Sequence, residues 1–234
     1  MKFNPKILSL LLGILLPATS SANITIYPMS LKITPNITSK NKFKIYSKSD
    51  KLQRVTVYVR KIINPATADE DEIPAPATDT QSLIASPQNV ILPAGGEQTI
   101  TLRTISTPEK EALYRVFVKP APADYSANEE EQTASVTSLT RGVLVYSLPE
   151  DPTSNLTLDL KSARVENTGN IHVWIKDIAT CSDHSEDHCK KTYIGTSVFP
   201  GSSLAVPTSI LPVKCIIVNY QTHDMDMKSR RWDF

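Results

Sequence analysis

Glycine is scarce in this chain: seven residues of 234, against seventeen prolines. So few glycines leave no glycine-rich phosphate loop, and so many prolines interrupt helices and suit short strands joined by rigid turns. Neither sign of charge is in excess. With 25 Lys and Arg against 24 Asp and Glu, no bulk basic field argues for nucleic acid. Catalytic signatures are missing too: there is no Gly-x-Ser-x-Gly elbow and no His-Glu-x-x-His, and His172 and His223 stand alone as surface or capping residues. These absences leave an enzyme with little to work with, and no cofactor is expected. The apolar run at residues 7–16 is too short to span a bilayer. It follows Lys2 and Lys6 and precedes Ser20, Ser21 and Ala22, so residues 1–22 read as a secretory signal and Asn23 as the mature start. An exported protein that is not embedded in a membrane is expected.

Only three cysteines are present, Cys181, Cys189 and Cys215. In an oxidising compartment the close pair is expected to be bridged, because a short polar loop between two strand-like runs can bring its ends together. Cys215 sits in a mostly apolar run, residues 213–218, and reads as a buried, inert thiol. The segment from Cys181 to Cys189 also holds His184 and His188, the most tempting metal signal in the chain. Its spacing argues against a metal, since His188 and Cys189 are adjacent and a disulfide would consume both sulfurs. No metal is expected.

What the sequence does have is alternation. Phe43 and Ile45, then Val55, Val57 and Val59, then Ile100 and Leu102 each mark one face of a strand. Residues 83–92 contain Ser86-Pro87, which confines them to an edge or a strand with a bend. Residues 66–80, acidic and proline-bearing, read as a surface loop. About seven strands precede Pro149, as in an antiparallel Greek-key sandwich. A linker-like stretch follows, and strands resume with Leu156, Leu158 and Leu160, with Ile171, Val173 and Ile175, and with apolar runs at 193–194, 203–206 and 213–218. The terminal residues 228–234 read as a strand or tail. The expected division is a domain at 23–149 and a smaller β-domain at 150–234.

Residues 113–149 organise the first of these. One strand, residues 113–119, ends at the Pro-Ala-Pro of 120–122; a second, residues 135–148, follows an acidic loop at 124–133 far longer than a hairpin needs. On the second strand Thr137, Leu139, Arg141, Val143 and Val145 share a face, so a single charge interrupts an apolar row. Read alone, it is an ordinary sandwich strand with an Arg at the rim; the sharper reading is a row offered to a partner.

Taken together, Ile26-Tyr27-Pro28, the run Ile84-Ala85-Ser86-Pro87-Gln88-Asn89-Val90-Ile91-Leu92-Pro93-Ala94-Gly95, Tyr114-Arg115-Val116-Phe117 and Asn167-Thr168-Gly169-Asn170 resemble the periplasmic chaperones of chaperone-usher pili. Ile45-Tyr46-Ser47-Lys48-Ser49, Lys61-Ile62-Ile63-Asn64-Pro65 and the Cys181/Cys189 pair look most like the alternate branch serving colonisation-factor (class 5) fimbriae. The resemblance covers essentially the whole mature chain. It implies two immunoglobulin-like sandwiches in a boomerang, a periplasmic location, and fimbrial pilin and adhesin subunits and an outer-membrane usher as partners. It also implies donor-strand complementation, in which a chaperone strand fills the groove of a pilin that lacks its last strand. Thr137, Leu139, Val143 and Val145 then become the donor row. Self-association of the free form is a further expectation.

The basic residues that hold a pilin's terminal carboxylate in the best-known members have no counterparts here: the first-strand Arg position falls at Ile24, and the last-strand Lys near Val143 or Leu144. Nor does an Arg precede Pro149 to join the domains. Arg141, the only cation in the row, is the expected carboxylate anchor. The rival readings are an exported adhesive or structural sandwich module of a fimbria, and a metal-dependent secreted enzyme built on the 181–189 loop.

Overall fold

The computed structural model describes residues 24–34, 40–75, 82–121, 139–207 and 213–234. The fold is all-β, two immunoglobulin-like sandwiches in sequence. In the first, one sheet runs in space β1 (Ile24–Tyr27), β3 (Lys42–Ser47), β8 (Glu97–Thr104) and β6 (Leu83–Ser86). Its partner runs β2 (Ser30–Ile33), β10 (Arg141–Ser147), β9 (Ala112–Pro120), β4 (Gln53–Ile63) and β5 (Asp71–Pro74), with β7 (Asn89–Leu92) also paired to β4. Strict alternation builds the core. Phe43 and Ile45, Val55 and Val57, Ile100 and Leu102, Val116 and Val118 all turn inward and lose nearly all exposure. Each such side chain stabilises the fold by about 1.5–3 kcal/mol relative to an exposed position.

Two crossings tie these sheets together, and both fall at a proline. The chain passes from β1 to β2 at Tyr27-Pro28 and from β6 to β7 at Ser86-Pro87, both cis peptides. Proline has no N–H to give a ladder, so each strand ends in one sheet and the chain resumes in the other. The bend expected at Ser86-Pro87 is therefore a change of sheet.

Three readings of the sequence need correction. Within the loop expected at 66–80, Asp71–Pro74 is a strand, paired antiparallel with residues 60–63 of β4. Ser30–Ile33 is a strand that no alternation announces, and it pairs in parallel with β10. Leu160 does not continue the alternation of Leu156 and Leu158; it stands 63% exposed in a turn. The strand expected at 135–148 is present as Arg141–Ser147, and residues 122–138 lie outside the described residues.

The second sandwich faces a sheet of β11 (Leu156–Asp159), β12 (Arg164–Asn167) and β15 (Ser203–Ala205) with one of β14 (Cys189–Val198), β13 (Val173–Cys181), β16 (Cys215–Gln221) and β17 (Met227–Asp233). The terminal residues are thus a strand. The turn at residues 167–170 joins the sandwiches. Asn167, fully buried, donates from Nδ2 to the carbonyls of Ile171 and Val198 and accepts from Gly169 N–H. Asn170 accepts from Thr153 N–H and donates to the Asp151 carbonyl, which clamps the linker onto the second sandwich. Gly169 is required by close approach: a Cβ there would sit 2.5 Å from the Thr153 carbonyl oxygen and 2.7 Å from Asn155 N.

Candidate functional site

The strand singled out in the sequence is β10, and its two edges differ along its length. One edge pairs with β9 throughout, from Arg141 opposite Val118 to Ser147 opposite Ala112. The other pairs with β2 only from Leu144 onward, where Leu144 N–H also donates to the Met29 carbonyl. Among the described residues nothing pairs with that edge at residues 141–143. A strand edge open at one end and filled at the other is a site where a further strand can add, and its N–H and C=O groups otherwise need water.

The expected donor row is divided by this arrangement. Val143 and Val145 have no exposed surface and belong to the sandwich's own core, and Val145 is paired on both edges. Neither is free to fill a client's groove while the sandwich stays folded, because alternation along a strand turns both toward the opposing sheet. Leu139, ahead of the strand, is 59% exposed. Thr137 lies outside the described residues. Arg141 is half-buried at the open end, on the face of Val143, and among the described residues it has no ion-pair partner.

The opposite face of β10, with Gly142, Leu144 and Tyr146, continues across β9 and β4. Here lie cations that no periodic pattern marks. Arg60 and Arg115 face each other across β4 and β9, and both converge on Glu72 of β5: Arg115 Nη1 binds Oε1, and Arg60 donates to the Glu72 carbonyl with its Nε 3.7 Å from Oε2. The Arg115 stem crosses Gly142, where a Cβ would lie 2.7 Å from Arg115 Cδ. Beyond it Tyr58 stacks on Phe117 with ring centroids 5.1 Å apart.

At the other end this face meets the second sandwich. Ile62, Leu113 and Phe199 form a buried cluster with Leu144 and Tyr146. Above it the ring of His172 is sandwiched between Tyr146 and Phe199, 5.1 Å from each. The Glu111 side chain is wholly buried and accepts from His172 twice, from the backbone N–H at 2.5 Å and at Nδ1, 2.7 and 2.8 Å from its two oxygens. An ionised carboxylate only accepts, so the pair fixes the imidazole proton on Nδ1. Glu111 N–H donates to the Asn170 carbonyl, which binds the same residue to the linker clamp. Burial, and then the Glu111 charge, raise the Tyr146 phenol above its ordinary pKa. A second tie is the Lys32 ammonium on the His223 carbonyl. His172 is therefore an inter-domain residue, and the domain-joining ion pair missing before Pro149 has a replacement that came from elsewhere in the chain.

At the far end of the second sandwich Cys181 and Cys189 form the expected disulfide and Cys215 is a buried free thiol. Burial raises the Cys215 pKa.

Two sandwiches joined at a polar corner, with an open strand edge, are the architecture of the fimbrial chaperones. The class 5 fimbriae chaperone CfaA superposes with a TM-score of 0.73 at 26% identity, over 89% of this chain and 98% of that one. A chain of a chaperone–tip adhesin complex of CFA/I fimbriae biogenesis gives 0.74 at 27% identity, over 90% and 98%. In sequence, a CS1 fimbrial protein of Escherichia coli is 35% identical over 200 residues, 81% of this chain and 82% of that protein. A CFA/I fimbrial protein of Escherichia coli is 31% identical over 206 residues, 85% of each. The chain belongs to the family of these two fimbrial proteins. No family model matches it. Among the described residues no helix is long and apolar enough to cross a membrane.

Proposed function

We propose that this protein is a periplasmic assembly chaperone of the class 5 branch, which holds fimbrial subunits by donor-strand complementation and passes them to an outer-membrane usher. The observation that carries the reading is the open edge of β10 at residues 141–143, in a chain whose fold is that of fimbrial chaperones. A pilin lacking one strand exposes both an apolar groove and an unpaired ladder. The β10 edge supplies main-chain partners, and the stretch leading into it, with Leu139 and Thr137, supplies side chains at every second position. Val143 and Val145 act from beneath, fixing the strand in its own sandwich. Arg141 binds the client's terminal carboxylate: it stands at the open end with no ion-pair partner among the described residues, whereas Arg60 and Arg115 are already engaged by Glu72. The units that carry this out are the domains at 23–149 and 150–234, held together at the corner by Glu111 and His172.

Co-expression with each candidate pilin or adhesin, followed by purification from the periplasm, tests the reading. A soluble one-to-one complex with at least one of them is expected. If every client remains as unprotected and degradable with the chaperone as without it, the reading fails.

A further inference from the structure

Cys181 occupies the middle of three adjacent strands. Across the β13–β14 pair it stands opposite Cys189, and across the β13–β16 pair opposite Cys215. Residues directly opposite on antiparallel strands project to the same face, so the three sulfurs share one surface of the sheet. All lie within 4.8 Å of one another. Ala179 and Ile217 complete an apolar patch around them, separate from the main core of the second sandwich. Two of the sulfurs are bonded and the third is a thiol. Cys181 thus has two equivalent cross-strand neighbours and is joined to one.

We propose that these three cysteines form an internal thiol–disulfide exchange site. The Cys215 thiolate attacks Sγ of Cys181, the Cys181–Cys189 bond breaks as the Cys181–Cys215 bond forms, and Cys189 leaves as a thiolate. Cys189 then takes up the proton that Cys215 gave up. One disulfide and one thiol stand on each side, so no oxidant or reductant is consumed. The strand order places the attacking and leaving sulfurs on opposite sides of Cys181, as a displacement at sulfur requires.

The two states differ in what they constrain and expose. In the present one the bond spans eight residues and pins the turn at 182–188. In the exchanged state it joins the central strand β13 to β16, and that turn is freed. The thiol moves from a site with no exposure to one that is partly exposed, where the Ser185 carbonyl lies 3.5 Å from the Cys189 sulfur and can accept its proton. Burial holds the Cys215 thiol in its protonated form, which makes exchange slow in the closed molecule. The exchanged protein presents a modifiable cysteine where the resting protein presents none.

Export of the Cys189→Ser and Cys215→Ser variants, with peptide mapping after alkylation, tests this. Cys189→Ser is expected to carry no free thiol in denaturant and to yield a Cys181–Cys215 bridged peptide. Prolonged incubation of the native wild type with a small alkylating reagent is expected to label Cys189, and Cys215→Ser to take no label there. A folded Cys189→Ser with two free thiols would overturn the proposal. Where that variant does not fold, the wild type decides alone: label found only at Cys215, and only in denaturant, would overturn it equally.

Discussion

Glu111 of the first sandwich and His172 of the second, 61 residues apart, meet in a buried pair that fixes the imidazole between the rings of Tyr146 and Phe199. No other charged pair in the described structure is so fully withdrawn from water, and it closes the corner between the sandwiches. Glu111→Ala leaves the His172 N–H groups without an acceptor in a dry site, a loss of about 1–3 kcal/mol. The expected outcome is a lower urea midpoint, with the transition of the second sandwich separating from that of the first. Glu111→Gln, which keeps an acceptor oxygen in place, is expected to fall between wild type and Glu111→Ala.

That corner is illegible in the sequence, and the reason is physical. His172 sits in no periodic pattern, and its partners at 111, 146 and 199 come from three distant strands or turns, so only the folded register brings them together. The long strands are legible because burying one face imposes alternation, as in Lys42–Ser47 and Gln53–Ile63. The four-residue strands Ser30–Ile33 and Asp71–Pro74 are not, since each exists by pairing with a longer neighbour and not by its own propensity. In the same way the Cys181–Cys189 bond follows from nearness along the chain. The place of Cys215 beside it depends on the pairing of β13 with β16, which no local pattern reveals.

Gly169→Ala should loosen the linker. The added methyl would meet the Thr153 carbonyl and Asn155 N, both backbone atoms with no rotamer to turn away. Overpacking of this kind costs about 1–3 kcal/mol. A lowered thermal midpoint is expected. Unchanged stability would mean that the 151–155 segment moves aside freely.

A pH dependence is expected at the 182–188 turn. Asp183 Oδ2 binds Nδ1 of His188 at 2.5 Å, which raises the His188 pKa above its ordinary 6.5 and lowers that of Asp183 below 3.8. The histidine's contribution is fully present below pH 6.5 and is lost as pH rises through the raised value. That of the aspartate is present above pH 3.8 and is lost as pH falls through the lowered value. The pair is therefore strongest in the acidic range between these limits. Both groups are exposed, so the readout is local: an NMR titration of the His188 ring should show a midpoint above 6.5, returning toward it in Asp183→Asn.

Leu139→Asp and Val143→Asp should fail in different ways, although both lie in the expected donor row. Val143 is wholly buried, and an ionised carboxylate there costs several kcal/mol, so the first sandwich should not fold. Leu139 is 59% exposed in the free protein, where the substitution should change stability by no more than about 0.5 kcal/mol. Its cost should appear only against a client, as loss of the complex from a folded protein. Full binding by Leu139→Asp would remove that residue from the donor stretch.

Arg141→Ala tests the carboxylate anchor. A charge-assisted bond to a terminal carboxylate contributes about 1.5–3 kcal/mol, so its removal should weaken capture about tenfold or more. The fold should survive, because Arg141 is half-buried at the end of its strand and holds no ion pair among the described residues. Arg141→Lys should recover part of the affinity, keeping the charge without the planar fork. The informative control is Arg115→Ala, which removes the ion pair to Glu72 on the other face of the sheet and opens space over Gly142. It should leave capture within a small factor of wild type while lowering stability slightly. Affinities of the purified, folded variants for a pilin without its donor extension decide between the two faces. Weak capture by Arg115→Ala with undiminished capture by Arg141→Ala would move the anchor to the Arg60–Glu72–Arg115 cluster, with Glu72 then holding in the free protein the place that a client's carboxylate takes.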